Sequence, residues 1–314
     1  MSNNIIFMGT PDFAVKSLDF LLKKNLNISC VVTSPDRRSG RGLKINKPEV
    51  KKYSELNNIR LLQPDNLSNP SFINQVKNIN PILIVVVAFR KLPSILYEIP
   101  KYGTINLHAS LLPDYRGAAP INWCLINNEK HTGVSVIKIN EKIDCGDILM
   151  QEKVLIDEDE DFETLNNKLS VIGSKILNKT IHLIINNKIQ GEQQVISKSD
   201  KQAPKLTSKN TRIDWERPID SVIGKIRGLY PKPGAWTILF NNEDQIRMKI
   251  LKARAVNYSK TNSNNILSIL DKKIFISTPN GKIECEIIQL ENKKAMIAKD
   301  VLNGYKFSSN CYVK

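Results

Sequence analysis

The chain has 314 residues, 41% of them hydrophobic and 25% charged, with a formal net charge of +15. That length suits about two domains, and the longest apolar run, ILIVVVAF at 82–89, is too short to span a bilayer, so no membrane partner is expected. The five cysteines, Cys30, Cys124, Cys145, Cys285 and Cys311, are scattered without a CxxC pair. They argue against a zinc site and a disulfide framework, and for a reducing cytoplasm.

Charge is unevenly spread. Residues 201–314 hold 21 Lys and Arg against 10 Asp and Glu, whereas residues 1–200 hold 25 against 21. A basic C-terminal third is the electrostatic footprint expected of a nucleic-acid contact.

The N-terminus MSNNIIFMGT reads as a first strand and not as a signal peptide, because it has neither a basic leader nor a small-residue cleavage site. From there β-branched runs at 5–8, 29–33, 59–62, 82–89, 104–108 and 133–139 alternate with helical stretches at 12–24, 48–57, 70–78 and 119–127. This alternation predicts a doubly wound, Rossmann-like α/β domain with a largely parallel sheet, whose ligands bind at the carboxyl ends of the strands. Leu165, Leu169, Ile172, Ile176, Ile181 and Ile184 recur at helical spacing and predict one long helix over 162–187 packed on that sheet. We place the first domain at 1–188, a polar linker at 189–208 and a second domain at 209–314. In the last, DWERPIDSVIGKIRGL suggests one helix, and five short strand-like runs, AWTILF to KIECEII, suggest a small antiparallel barrel.

Gly9-Thr10-Pro11-Asp12 occupies the place where a dinucleotide-binding chain carries GxGxxG, but it has one glycine, and Asp12 would repel a phosphate there. No GxxxxGK[ST] occurs either, which argues against ATP-driven chemistry. Chemistry concentrates instead in NLHASLLPDYRGAAP at 106–120. Alternation puts Asn106 and His108 on one face of a strand, about 6.8 Å apart along it. An amide NH2 and an imidazole that converge at a strand end can donate to an oxyanion. Asp144 in KIDCGDIL is the expected partner, since a neighbouring carboxylate favours a charged imidazole; Asp147 competes for that role. The stretch TSPDRRSGRGLKINKP carries Arg37, Arg38, Arg41 and Lys44 in a connection long for its kind, suited to phosphate-backbone contacts.

Together FMGTPDFA, VVTSPDRRSGRG, NLHASLLPDYRGAAPI, DCGDIL and APKLTSKNTRIDW closely resemble the methionyl-tRNA formyltransferase family, over nearly the whole chain. The resemblance implies a C-terminal domain of OB type that grips the tRNA, 10-formyltetrahydrofolate as cosubstrate, no metal, and methionyl initiator tRNA as acceptor; a monomer is expected. It makes Asn106, His108 and Asp144 catalytic, gives Ser110, Leu111, Leu112 and Pro113 to the folate, and places Arg41 at the tRNA acceptor stem. A formyltetrahydrofolate hydrolase, or a formyltransferase with another amine acceptor, shares the same block. The chain departs from the family pattern at Arg90, where glycine is usual, at Arg38, where proline is common, and at Cys145, where threonine is usual.

Overall fold

The computed structural model describes residues 3–39, 44–195, 197, 200–256, 258 and 265–314. They fall into two compact units, one of 1–117, 131–155 and 166–202, the other of 118–130, 156–165 and 203–314.

In the first unit a seven-stranded sheet runs in the spatial order Ile148–Leu155, His131–Lys138, Thr104–His108, Leu83–Val87, Ile5–Gly9, Ile28–Val32, Leu61–Leu62. The last five are parallel, and the first two join antiparallel. The central strands are uniformly apolar because both faces are covered. On one face Ile6, Met8, Ile84 and Val86 pack against Phe72, Ile73, Val76 and Ile79 of the helix Pro70–Ile79. That helix starts where it does because the Asn69 side chain accepts from Ser71 N at 2.8 Å and Pro70 follows at the first helical position; it ends at Asn80 in the left-handed conformation. On the other face, Leu107 packs against Gly173 of the long helix Phe162–Ile185, and Ser174 Oγ donates to Ser17 Oγ of the helix Asp12–Lys23.

The basic stretch after Val32 is more ordered than a bare loop: Arg37–Ser39 pairs antiparallel with Lys44–Asn46. Its base is tied by Asp36, which accepts from Gln63 at 2.9 Å and Lys51 at 2.7 Å; these bonds hold its carboxyl below the usual carboxylate range.

In the second unit the helix Ile219–Leu229 begins only after Pro218, later than Asp214, because the proline ring and its missing N–H keep Pro218 out of a helix interior. It packs against the helix Pro120–Ile126, with Asn122 Nδ2 donating to Gly228 O at 2.7 Å. Six strands follow one another as Leu267–Leu270, Lys273–Thr278, Gly281–Leu290, Asp244–Val256, Ala235–Asn241 and Tyr312–Val313. A bridge between Ile266 and Tyr312 joins the last to the first, so the antiparallel sheet curls closed around a core that includes Ile250, Ile274, Ile283 and Ile288. Among the described residues no helix is long and apolar enough to cross a membrane. Burial pushes the Cys30 thiol up to about 11 and raises that of Cys285 further, so both behave as small apolar core residues.

Candidate active site

The strand Thr104–His108 lies between a parallel neighbour and an antiparallel one, with Asn106 opposite Val86 on one side and Ile137 on the other. Register fixes its alternation, so Asn106 and His108 leave the sheet on one face at its carboxyl end. Both reach the same atom. Asn106 Nδ2 is 3.5 Å and His108 Nδ1 3.8 Å from Asp144 Oδ1. The other carboxylate oxygen, Oδ2, accepts the Gly117 N–H at 3.1 Å.

His108 is 6% exposed, and its Nε2 lies 2.9 Å from the Tyr115 carbonyl. A carbonyl only accepts, so Nε2 carries the hydrogen and Nδ1 is the edge turned to Asp144. Asp144 itself sits at φ +53°, in the left-handed region that is uncommon for non-glycine residues, although Asp and Asn enter it more readily than most. The competing carboxylate, Asp147, makes neither a hydrogen bond nor an ion pair with His108; its main-chain oxygen accepts Lys138 N at 2.9 Å.

The segment Ser110 to Pro113 is tied mostly to its own framework. Ser110 Oγ donates to Asp114 O at 2.7 Å, and Ser135 Oγ donates to Ser110 O at 2.6 Å. Gln151 Nε2 donates to Leu112 O at 2.9 Å and to Ser135 Oγ at 2.8 Å. Leu112 is buried, whereas Leu111 and Pro113 keep part of their surface open, and the Leu112–Pro113 peptide is cis.

Arg90 needs no glycine-like backbone, because the positive φ falls at Ala88, +48°. Its guanidinium donates to Pro64 O at 2.7 Å and Asp65 O at 2.9 Å. Burial, and then the charge of Arg37, hold it below the ordinary arginine value. Arg37 is exposed. The side chains of Arg38 and Lys44, and Arg41 altogether, lie outside the described residues.

Several groups at the site carry no sequence signal of their own. The Tyr115 carbonyl and Gly117 N–H are main-chain groups. Gln194, from the polar stretch read as a linker, donates through Nε2 to Asp144 O at 2.9 Å and to Gly146 O at 2.7 Å. Asp200, from the same stretch, pairs with Arg116 at 3.0 Å, and Tyr115 N donates to Lys201 O at 2.6 Å.

The second unit holds a different cluster. On the outer face of the barrel the Arg247 guanidinium lies 4.1 Å and that of Arg212 5.4 Å from the Trp236 ring centre, and Phe240 stacks on Tyr312 at 4.6 Å. Burial first, then Arg247 and Lys232, lower the Lys249 pKa. Among the described residues, no ion pair engages Arg212, Lys232, Arg247 or Lys249.

A strand-end amide, imidazole and carboxylate sharing one point can hold an oxyanion and move a proton, and comparison with known proteins gives the family of the chain that carries them. The formyl transferase family profile matches residues 3–181, and the formyl transferase C-terminal domain profile matches residues 205–306. The chain is 41% identical to the methionyl-tRNA formyltransferase of Flavobacterium johnsoniae over 98% of both chains.

The chain belongs to the methionyl-tRNA formyltransferase family.

A second member, from Thermodesulfovibrio yellowstonii, is 39% identical over 98% of both chains. The fold recurs in solved structures of lower identity. An N-formyltransferase from Helicobacter canadensis, solved with folinic acid and dTDP-3-aminofucose, superposes with a TM-score of 0.66 at 21% identity, over 91% of this chain and 99% of the other. HypX from Aquifex aeolicus, solved with tetrahydrofolic acid, superposes with 0.65 at 17% identity, over 98% of this chain and 49% of HypX.

Proposed function

We propose that this protein transfers the formyl group of 10-formyltetrahydrofolate to the α-amino group of methionyl initiator tRNA. The observation that carries the reading is the convergence of Asn106 and His108 on one oxygen of Asp144, at the carboxyl edge of the sheet of a chain that matches this family from end to end.

In the proposed reaction the methionyl amine attacks the formyl carbon, and the carbonyl oxygen becomes an oxyanion. Asn106 Nδ2 donates to it, and so does Nδ1–H of protonated His108, whose Nε2–H is already taken by the Tyr115 carbonyl. Asp144, directly or through water, takes the proton that the attacking amine loses. The bond from carbon to N10 of the folate then breaks as the oxyanion collapses to a carbonyl, N10 receives the proton that Asp144 took up, and the formyl group stays on the methionyl nitrogen. Ser110, Leu111, Leu112 and Pro113 form the folate-side wall, with Leu111 and Pro113 supplying the open surface. One chain is the acting unit, in the cytoplasm, and no metal takes part.

The tRNA is held through its phosphates. Arg37, Arg38, Arg41 and Lys44 of the basic stretch contact the tRNA, Arg41 at its acceptor stem, and Trp236, Arg212, Arg247 and Lys249 offer the barrel's contact. Uncompensated cations around an aromatic ring suit a polyanion, because phosphates relieve the like-charge repulsion that the free face carries. We expect Arg247→Ala to weaken tRNA binding, reduce its salt dependence by about one unit of slope and leave folate binding intact. An unchanged slope would remove the barrel face from the interface.

The direct test is release of tetrahydrofolate from 10-formyltetrahydrofolate with and without methionyl initiator tRNA, followed together with formyl label on the tRNA. Release that requires the tRNA and matches its labelling supports the reading. Release without an acceptor identifies a hydrolase, and label on another amine in place of tRNA identifies a different transferase.

A further inference from the structure

We propose that Gln194 is a positioning residue for the formyl transfer, acting by holding the main chain of Asp144; this rests on the function proposed above. Gln194 lies fifty positions from Asp144 and is 7% exposed. Its amide nitrogen carries two hydrogens and meets two carbonyl oxygens, those of Asp144 and Gly146. Turning the amide over would set Oε1 against both carbonyls, so only the observed orientation is favourable. Among the described residues, Oε1 in that orientation is buried without a hydrogen-bond partner. Such a group costs stability, and the side chain's gain lies in its two donors.

Those donors act where the chain needs them. Asp144 sits in the left-handed region, a conformation that persists only where its surroundings hold it, and the direction of its carboxylate follows from that backbone. The strap that carries Gln194 is itself fixed. Glu192 and Ile148 exchange N–H···O bonds of 2.8 Å in both directions, and Gly191 runs so close to Asp147 that a Cβ there would come within 2.6 Å of the Asp147 Cβ. The carboxylate is thus held from two sides, by the Gly117 N–H on Oδ2 and by Gln194 on its own main chain. Loss of the second lets the carboxylate drift from Asn106 and His108, and misplacement of about 1 Å at a reacting centre can cost about 10²-fold in rate.

A residue that only stapled the strap to the fold would lower the melting temperature and leave turnover per folded molecule alone. The test is Gln194→Met, which keeps length and apolar bulk and has no donor, read by steady-state kinetics and by amide hydrogen exchange. We expect kcat to fall by about 10- to 100-fold, KM for 10-formyltetrahydrofolate and for tRNA to change little, and the Gly117 amide to exchange faster as its bond to Asp144 loosens. In an Asp144→Ala background the same substitution should cost almost nothing further, because residues that act through one another are not additive. If Gln194→Met does not fold, Gln194→Asn, whose amide falls one methylene short of both carbonyls, takes its place with the same expectations. Unchanged Gly117 exchange overturns the proposal whether or not the parent protein transfers formyl groups, since that arm does not depend on activity. Full turnover in the folded variant, or an undiminished loss in the Asp144→Ala background, overturns it as well. A parent protein that labels no tRNA would instead overturn the proposed function, with the exchange arm still deciding whether Gln194 holds Asp144.

Discussion

Replacing Asn106 by alanine is expected to lower kcat by about 10²- to 10³-fold, the usual cost of one lost oxyanion donor, with tRNA affinity unchanged. The position suits a clean measurement. Asn106 is inside a strand bonded on both sides, to Leu83–Val87 and to His131–Lys138, so truncating its side chain leaves the ladder intact. Among the described residues its amide makes one long hydrogen bond at 3.5 Å, to Asp144, and its removal strands little else. His108 is a less clean target. His108→Ala would remove an oxyanion donor and also the contact that its Nε2 makes with the Tyr115 carbonyl, so a lost activity would mix chemistry with a displaced loop. Formyl labelling of the tRNA under saturating substrates checks the Asn106 prediction, and turnover within a few-fold of the parent would sink the oxyanion assignment.

The readable parts of this fold are those where local sequence and long-range packing agree. The central strands are short β-branched runs because both faces are covered, and the helix Pro70–Ile79 announces itself through Asn69 and Pro70. Strand Ile148–Leu155 escaped because its middle, QEK, faces solvent at the end of the sheet and carries no apolar alternation. The helix Ala298–Gly304 is too short to show a period. At the site, Asn106, His108 and Asp144 stood out because polar side chains beside an apolar strand call for a reason. Tyr115 and Gly117 contribute through main-chain atoms that any residue possesses, and their positions depend on how the chain turns after the strand. Gln194 is one polar residue within a polar stretch, and its meaning lies in two carbonyls some fifty residues earlier in the chain. Local pattern holds no record of such a contact.

Gly146→Ala is the substitution with the harshest geometry. A Cβ at this buried position would lie 1.6 Å from the Lys138 carbonyl oxygen and 2.8 Å from its carbon. Both are main-chain atoms at the end of a sheet strand, so no side-chain rotation relieves the clash. Space, and not a positive φ, is what requires glycine here, since Gly146 is absent from the positive-φ positions. Room can come only from parting the 144–147 turn from the strand, which breaks the Lys138 N to Asp147 O bond of 2.9 Å and shifts the carbonyl that Gln194 holds. We expect a stability loss of about 1–3 kcal/mol, as for other overpacked sites. Because the same shift carries Asp144 away from His108, kcat should fall by about 10²-fold even in the fraction that stays folded. Gly304→Ala is the contrasting case: nothing lies within 4 Å of a Cβ there, and the residue ends a helix. It should leave activity alone and hold or raise the melting temperature, because alanine favours helix over glycine. Thermal melts and kcat measured on the two variants side by side decide the matter: full activity in Gly146→Ala would mean that the turn carrying Asp144 has freedom to move without consequence for the chemistry.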